Sequence, residues 1–124
     1  MQYETERVLC AVDKDVARVA FKSADVVEYT EAAKLGAELR HFVQGFRFRV
    51  LVVDCGALAF VTSTVLEAFV SVHLRCRRMG RPVRVVNANG LVRDMLATTR
   101  LDRLIEVCDT MVDATRIDDA EKTR

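Results

Sequence analysis

Val50-Leu51-Val52-Val53-Asp54, then Thr62-Ser63-Thr64, a long helical run from Thr64 to Met79, Gly80-Arg81-Pro82 and Val83-Arg84-Val85-Val86 form the stretch that decides the fold. Four apolar residues in a row, with no polar alternation, mark a strand covered on both faces or placed centrally in a sheet. Gly80-Arg81-Pro82 stops the helical run before the next apolar segment. Strands that alternate with helices in this way pair in parallel through crossovers, which argues for an α/β domain.

Working toward the N-terminus, Arg7–Val12 and Val16–Phe21 flank the polar turn Asp13-Lys14-Asp15 and read as a β-hairpin, with Val19 and Phe21 on one face. From about Thr30 the period lengthens. Ala33, Leu35, Ala37, Leu39, Phe42 and Val43 mix with Glu31, Lys34, Glu38 and Arg40 in a helix that Gly45 ends. Toward the C-terminus, Asn87-Ala88-Asn89-Gly90 is turn-like, and Asn89 can cap a helix over Leu91–Thr98. Leu104-Ile105-Glu106-Val107 reads as a closing strand. Asp109 or Thr110 can cap a last helix carrying Met111, Val112, Ala114 and Ile117. The expectation is one domain over residues 1–117, with a mixed sheet of four to five strands and about four helices, and a charged tail over 118–124 that frays.

Size and composition agree with one core. The chain has 124 residues, 51% of them hydrophobic, which fills a single domain and leaves no room for a second. Nineteen basic and 18 acidic residues nearly cancel, so the net charge gives no footprint for nucleic acid or an anionic membrane. There is no 18-residue apolar stretch, and Met1–Arg7 is polar and acidic, so neither membrane insertion nor a signal peptide is expected, and the protein is expected in the cytoplasm. Cys10, Cys55, Cys76 and Cys108 contain no Cys-x-x-Cys pair and are expected as buried thiols, in preference to a disulfide framework or zinc site. His41 and His73 have no companion ligand at i+4, and no metal or cofactor is expected. Arg75, Arg77, Arg78, Arg81 and Arg84 read as a solvated helix end and the loop after it, with a docking patch for an acidic partner as the alternative.

The run after the hydroxyl cluster carries the functional argument. On a helical wheel, Glu67, Ser71, Arg75 and Arg78 form one polar stripe. Val65, Leu66, Phe69, Val70, Val72, Leu74, Cys76 and Met79 cover most of the remaining circumference, more than packing on one sheet requires. Neighbouring helices would bury part of that face, and a partner protein would cover the rest. Thr64 and Glu67 have the spacing of a capping box, in which the hydroxyl accepts from a backbone amide and the carboxylate reaches back. The same position suits a phosphate, which meets free amides and the positive pole of the helix.

Phe60-Val61-Thr62-Ser63-Thr64-Val65-Leu66, set in this order of elements, resembles a segment of the STAS domain of bacterial anti-anti-sigma factors. There an apolar pair precedes Asp-Ser-Ser-Gly-Leu, and the second Ser is phosphorylated by a partner kinase that is also an anti-sigma factor. The resemblance puts the acceptor at Thr64 and the preceding Ser at Ser63, with Thr62 in place of the Asp and Val65 in place of the Gly. A Gly-x-x-Asp segment of the family falls, without gaps, on Asp25 and Glu28.

The resemblance covers nearly the whole chain. It implies the STAS fold and a non-enzymatic signalling adaptor that binds a histidine-kinase-like anti-sigma factor through Asp25, Glu28, Thr62, Ser63, Thr64, Val65 and Glu67. Phosphate on Thr64 or Ser63 would end that contact. The changed Asp and Gly leave a second reading open: a constitutive STAS scaffold, self-associating as a homodimer, joined to another STAS protein or supporting a transporter ATPase. An enzyme is the third class. The phosphate-loop, dinucleotide and nucleophile-elbow patterns do not occur, and Asp54, although at a strand end, lacks the acidic pair that a phosphoaspartate receiver carries after its first strand.

Overall fold

The computed structural model describes residues 2–22 and 29–117. The hairpin expected from the sequence is β2 (Val8–Asp13) and β3 (Val16–Phe21), paired in register from Val8↔Phe21 to Asp13↔Val16. Its two-residue turn puts Lys14 in the left-handed region at φ 57. An additional short strand, β1 (Gln2–Glu4), pairs antiparallel with β2. From β3 onward the pairing is parallel, through β4 (Val50–Asp54), β5 (Val83–Val86) and β6 (Glu106–Val107), giving a six-stranded mixed sheet in the order β1-β2-β3-β4-β5-β6. The connections are α1 (Tyr29–Gly45), α2 (Ser63–Arg78), and α3 (Gly90–Thr98) with a 3-10 turn at Leu101–Arg103; α4 (Met111–Ala114) ends the described chain.

The period of two in each strand assigns its side chains to faces. Val8, Cys10, Ala17, Val19, Phe21, Leu51, Val53, Val83 and Val85 point to the face carrying α1, α2 and α3, and form the main core with Leu39, Phe42, Val65, Phe69, Val72 and Leu96. Small residues set the approach of α1 to α2: a Cβ on Gly36 would stand 3.7 Å from that of Ala68, and Arg40 Nη1 donates to Ser71 Oγ at 3.0 Å across the same seam. Tyr3 anchors the polar β1 by stacking on Phe42, 5.9 Å between ring centres.

Val50, Val52 and Val86 face the other way, under Cys108, Met111, Ala114 and Ile117. Arg84 shares this second face and corrects its reading as part of a solvated charge run: the alternation that buries Val86 carries Arg84 inward as well, leaving it 6% exposed. Its guanidinium bonds Glu106 Oε2 at 2.9 Å, the Ala114 carbonyl at 3.2 Å and the Arg116 carbonyl, so it fastens the C-terminal segment to β5 and β6. Arg84→Met keeps the side-chain bulk and strands those acceptors. It is expected to cost about 2 kcal/mol, read as a lower urea midpoint; an unchanged midpoint would show that the bonds carry no net stability.

Arg81 departs from the same run. It donates to the carbonyls of Val43 and Phe46 at 3.3 and 3.1 Å and lies 4.3 Å over the Phe48 ring, closing the C-terminal end of α1. Gly80 ends α2 as the sequence implies. At φ 70 it sits in the left-handed position of a Schellman turn, with Gly80 N–H donating to Arg77 O and Arg81 N–H to Cys76 O.

Candidate functional site

All parallel strands end on one side of the molecule, where the connectors from β4 to α2 and from β5 to α3 meet. Such carboxyl ends are where open α/β sheets place functional groups. Asp54 terminates β4, and its Oδ1 accepts from Gly56 N–H at 2.8 Å and Asn87 Nδ2 at 3.1 Å. A Cβ on Gly56 would stand 3.1 Å from that carboxylate oxygen, so the connector turns close against it. Asn89 Oδ1 accepts from Val92 N–H at 2.9 Å as the cap of α3, while its Nδ2 donates to the carbonyls of Leu58 and Ala59 at 3.3 and 3.0 Å. The cap was legible in the sequence. The bond to a segment 30 residues away was not, although it fixes the approach to the hydroxyl cluster. Asn89→Ala removes both and is expected to cost about 2 kcal/mol in a urea titration, against about 1 for an ordinary cap; a loss no larger than the cap alone would show the bridge to be idle.

Leu58 and Val61 are buried on either side of Phe60, which stays exposed. Thr62 follows with extended backbone (φ −100, ψ 168) and is the cap of α2, its Oγ1 accepting from Val65 N–H at 3.4 Å, long for such a bond. This corrects the capping box. Helical dihedrals begin at Ser63, so Thr64 is already the second helical residue, Glu67 lies in the next turn, and the residue three after the true cap is Val65. Threonine is among the side chains that cap a helix well, so α2 starts at this position without a carboxylate.

Ser63 is exposed, Thr64 half-buried and Glu67 exposed. Val65 is fully buried in the main core, its branched side chain pointing inward, so among the residues expected at the contact it offers no side-chain surface. Asp25 and Glu28 lie outside the described residues. Of the apolar circumference of α2, Val65, Leu66, Phe69, Val72 and Cys76 are buried by the sheet and neighbouring helices, while Leu74 and Met79 remain exposed.

The first turn of α2 contains no acidic residue. The first amides of a helix have no intrahelical acceptor and carry its positive end, so an anion on Ser63 or Thr64 would be the first negative group there.

The cysteines offer no exposed thiol here. All four are buried and free, and burial pushes the thiols of Cys10, Cys55 and Cys76 up to about 12. Unfolded thiols ionise near 8.5. Folding therefore holds these protons: the associated stability is complete below about pH 8.5 and is lost as pH rises toward 12. Thiol reagents at pH 8 are expected to leave the native chain unlabelled and to modify four cysteines in denaturant; rapid labelling of the folded protein would contradict this burial. Among the described residues no group of His, Cys, Asp and Glu could hold a metal ion, and no helix is long and apolar enough to cross a membrane.

Residues 25–114 match the family model of the STAS domain. No curated protein sequence matches the chain. Among solved structures, one described as a putative anti-sigma factor antagonist from Thermotoga maritima superposes with a TM-score of 0.74 at 18% identity, covering 85% of this chain and 88% of that one. An RsbS variant from Moorella thermoacetica gives 0.74 at 21% identity over 95% and 97%. A structure described as the molecular architecture of the stressosome, a signal integration and transduction hub, gives 0.70 at 21% over 92% and 96%.

Proposed function

The chain belongs to the STAS domain family, and on that premise we propose that it is a non-enzymatic cytoplasmic adaptor of the anti-sigma factor antagonist kind. Its partner is a kinase-type anti-sigma factor, bound at the hydroxyl segment and the first turns of α2. The observation that carries this reading is the start of α2: Ser63 and Thr64 stand at its first two positions, at the carboxyl end of the sheet, in a first turn free of acidic residues. A partner can reach Ser63 directly. A phosphate there adds about two negative charges to a surface that the partner must desolvate, and so ends the contact.

Thr64 is the acceptor by its place in the family pattern, and Ser63 is the more exposed hydroxyl. Affinity capture from the native cell with wild type, Ser63→Glu and Thr64→Glu, read by mass spectrometry that also scores phosphate on both residues, tests the switch. A kinase-like protein held by wild type and lost with one of the variants supports it. Identical partners in all three samples, with no phosphate on wild type, would leave the second reading: a constitutive scaffold assembled with other STAS proteins. The likeness to RsbS and the stressosome is in keeping with that assembly.

A further inference from the structure

The near-zero net charge conceals two poles. The C-terminal ends of α1, α2 and α3 and the connectors leading into β4, β5 and β6 gather at the end opposite the hydroxyl cluster. Arg47, Arg75, Arg77, Arg78, Arg100 and Arg103 lie there, and none of them forms an ion pair among the described residues. These arginines belong to one surface. Arg81, reaching the carbonyls of Val43 and Phe46, brings Arg47 beside the end of α2, and a cleft of about 370 Å³ lined by His73, Arg77, Arg81, Leu104 and Glu106, the last paired with Arg84, brings Arg77 to the segment that carries Arg103.

The strand ends on the other side carry the balancing charge: Glu6 before β2, Asp54 closing β4, Glu67 and Asp94 on α2 and α3, and Asp109 after β6, whose carboxylate pairs with Arg93 at 2.9 Å. Helix dipoles do not cancel the basic pole. Three C-termini supply about 1.5 negative charges and Asp102 one more, against six arginines; Asp13 and Asp15 in the hairpin turn at the same end stand beside Lys14 and Arg49, and Glu106 is paired with Arg84.

We propose that the basic pole docks on the acidic pole of a second copy, head to tail. The charge complementarity is internal to the chain, so the surface that fits the arginines is the opposite end of the same molecule. A heterologous contact of this kind repeats, building open chains unless its rotation closes a ring. It also lays the arginines of one copy over the hydroxyl segment of the next. The inference stands on the charge distribution, whichever partner that segment takes.

Sedimentation velocity of the full chain tests it at about 10 mM salt, where screening extends about 30 Å, and at about 1 M, where it extends about 3 Å. Association that grows with concentration at low salt and weakens at least about tenfold at high salt is expected. Two charge-reversed proteins complete the test, Arg77→Glu with Arg78→Glu and Glu67→Lys with Asp94→Lys, all four positions being exposed. Each should stay monomeric alone, and a mixture of the two should associate, since each then offers the pole the other lacks. A monomer at every concentration, association indifferent to salt, or a mixture that remains monomeric would overturn the proposal. So would wild type that stays monomeric but binds fluorescein-labelled duplex DNA, which would assign the arginines to nucleic acid.

Discussion

Val65→Gly, which restores the glycine of the family pattern, is expected to lower the unfolding free energy by about 3 kcal/mol. Val65 is fully buried among the residues of the main core. Removing its three side-chain carbons forfeits about 2.4 kcal/mol of burial at about 0.8 per carbon, the incompletely relaxed cavity adds to this, and glycine in a helical turn costs a few tenths more. For a domain of this size that corresponds to a fall in thermal midpoint of about 10 °C, read by circular dichroism. Val65 thus fills a place in the main core that a glycine would leave empty. A midpoint within about 2 °C of wild type would show that the side chain fills no essential space. Because Val65 faces inward, the variant is also expected to retain its partner at temperatures where it is folded, which separates the stability of the site from its recognition.

The second large effect has the opposite character. Phosphate on Thr64 or Ser63, or glutamate in its place, is expected to weaken the partner complex at least about 100-fold while leaving the chain as stable as before, or more so. The loss would follow from placing about two negative charges in the proposed contact at a neutral hydroxyl, since mismatched charge across an interface costs several kcal/mol and each 1.4 is tenfold. The retained stability follows from the same charge lying at the positive end of α2, where no carboxylate now stands in the first turn and an anion contributes up to about 1 kcal/mol. Titration calorimetry against the captured partner and thermal unfolding of the same samples check both halves. A variant that loses binding and also unfolds early would point to a damaged helix, and one that keeps binding would remove the switch.

The parts of the fold legible from sequence were those with a clear period or a strong punctuating residue. Val50–Val53 and Val83–Val86 are continuous apolar runs, Asn89 and Thr110 cap the helices they precede, and Gly80 with Pro82 closes α2. β1 was missed because Gln2-Tyr3-Glu4 is short and mostly polar; what holds it is pairing with β2 and one ring on Phe42, both supplied by the rest of the fold. The start of α2 was misplaced because two local patterns compete there. Thr64 with Glu67 offers a better box on paper, yet burial of Val61 and Val65 and the Asn89 bridge to the connector fix the chain so that Thr62 caps. Arg84 was misread for a related reason: adjacent arginines suggest a solvated run, whereas the alternation of its own strand sends it inward, where two carbonyls and Glu106 receive it. At the hydroxyl segment, the candidate residues could be named from the sequence, but their exposure could not. Only the folded chain distinguishes the outward Ser63 from the half-buried Thr64 and the inward Val65.

In the proposed complex the partner sits on the hydroxyl segment and the first turns of α2. Amide hydrogen exchange of the chain alone and saturated with the captured partner measures this directly. Exchange is expected to slow over residues 55–68, and those amides to return to their free rates when the Thr64→Glu chain is substituted. Protection confined to the arginine pole around residues 77–81, with 55–68 unchanged, would contradict it.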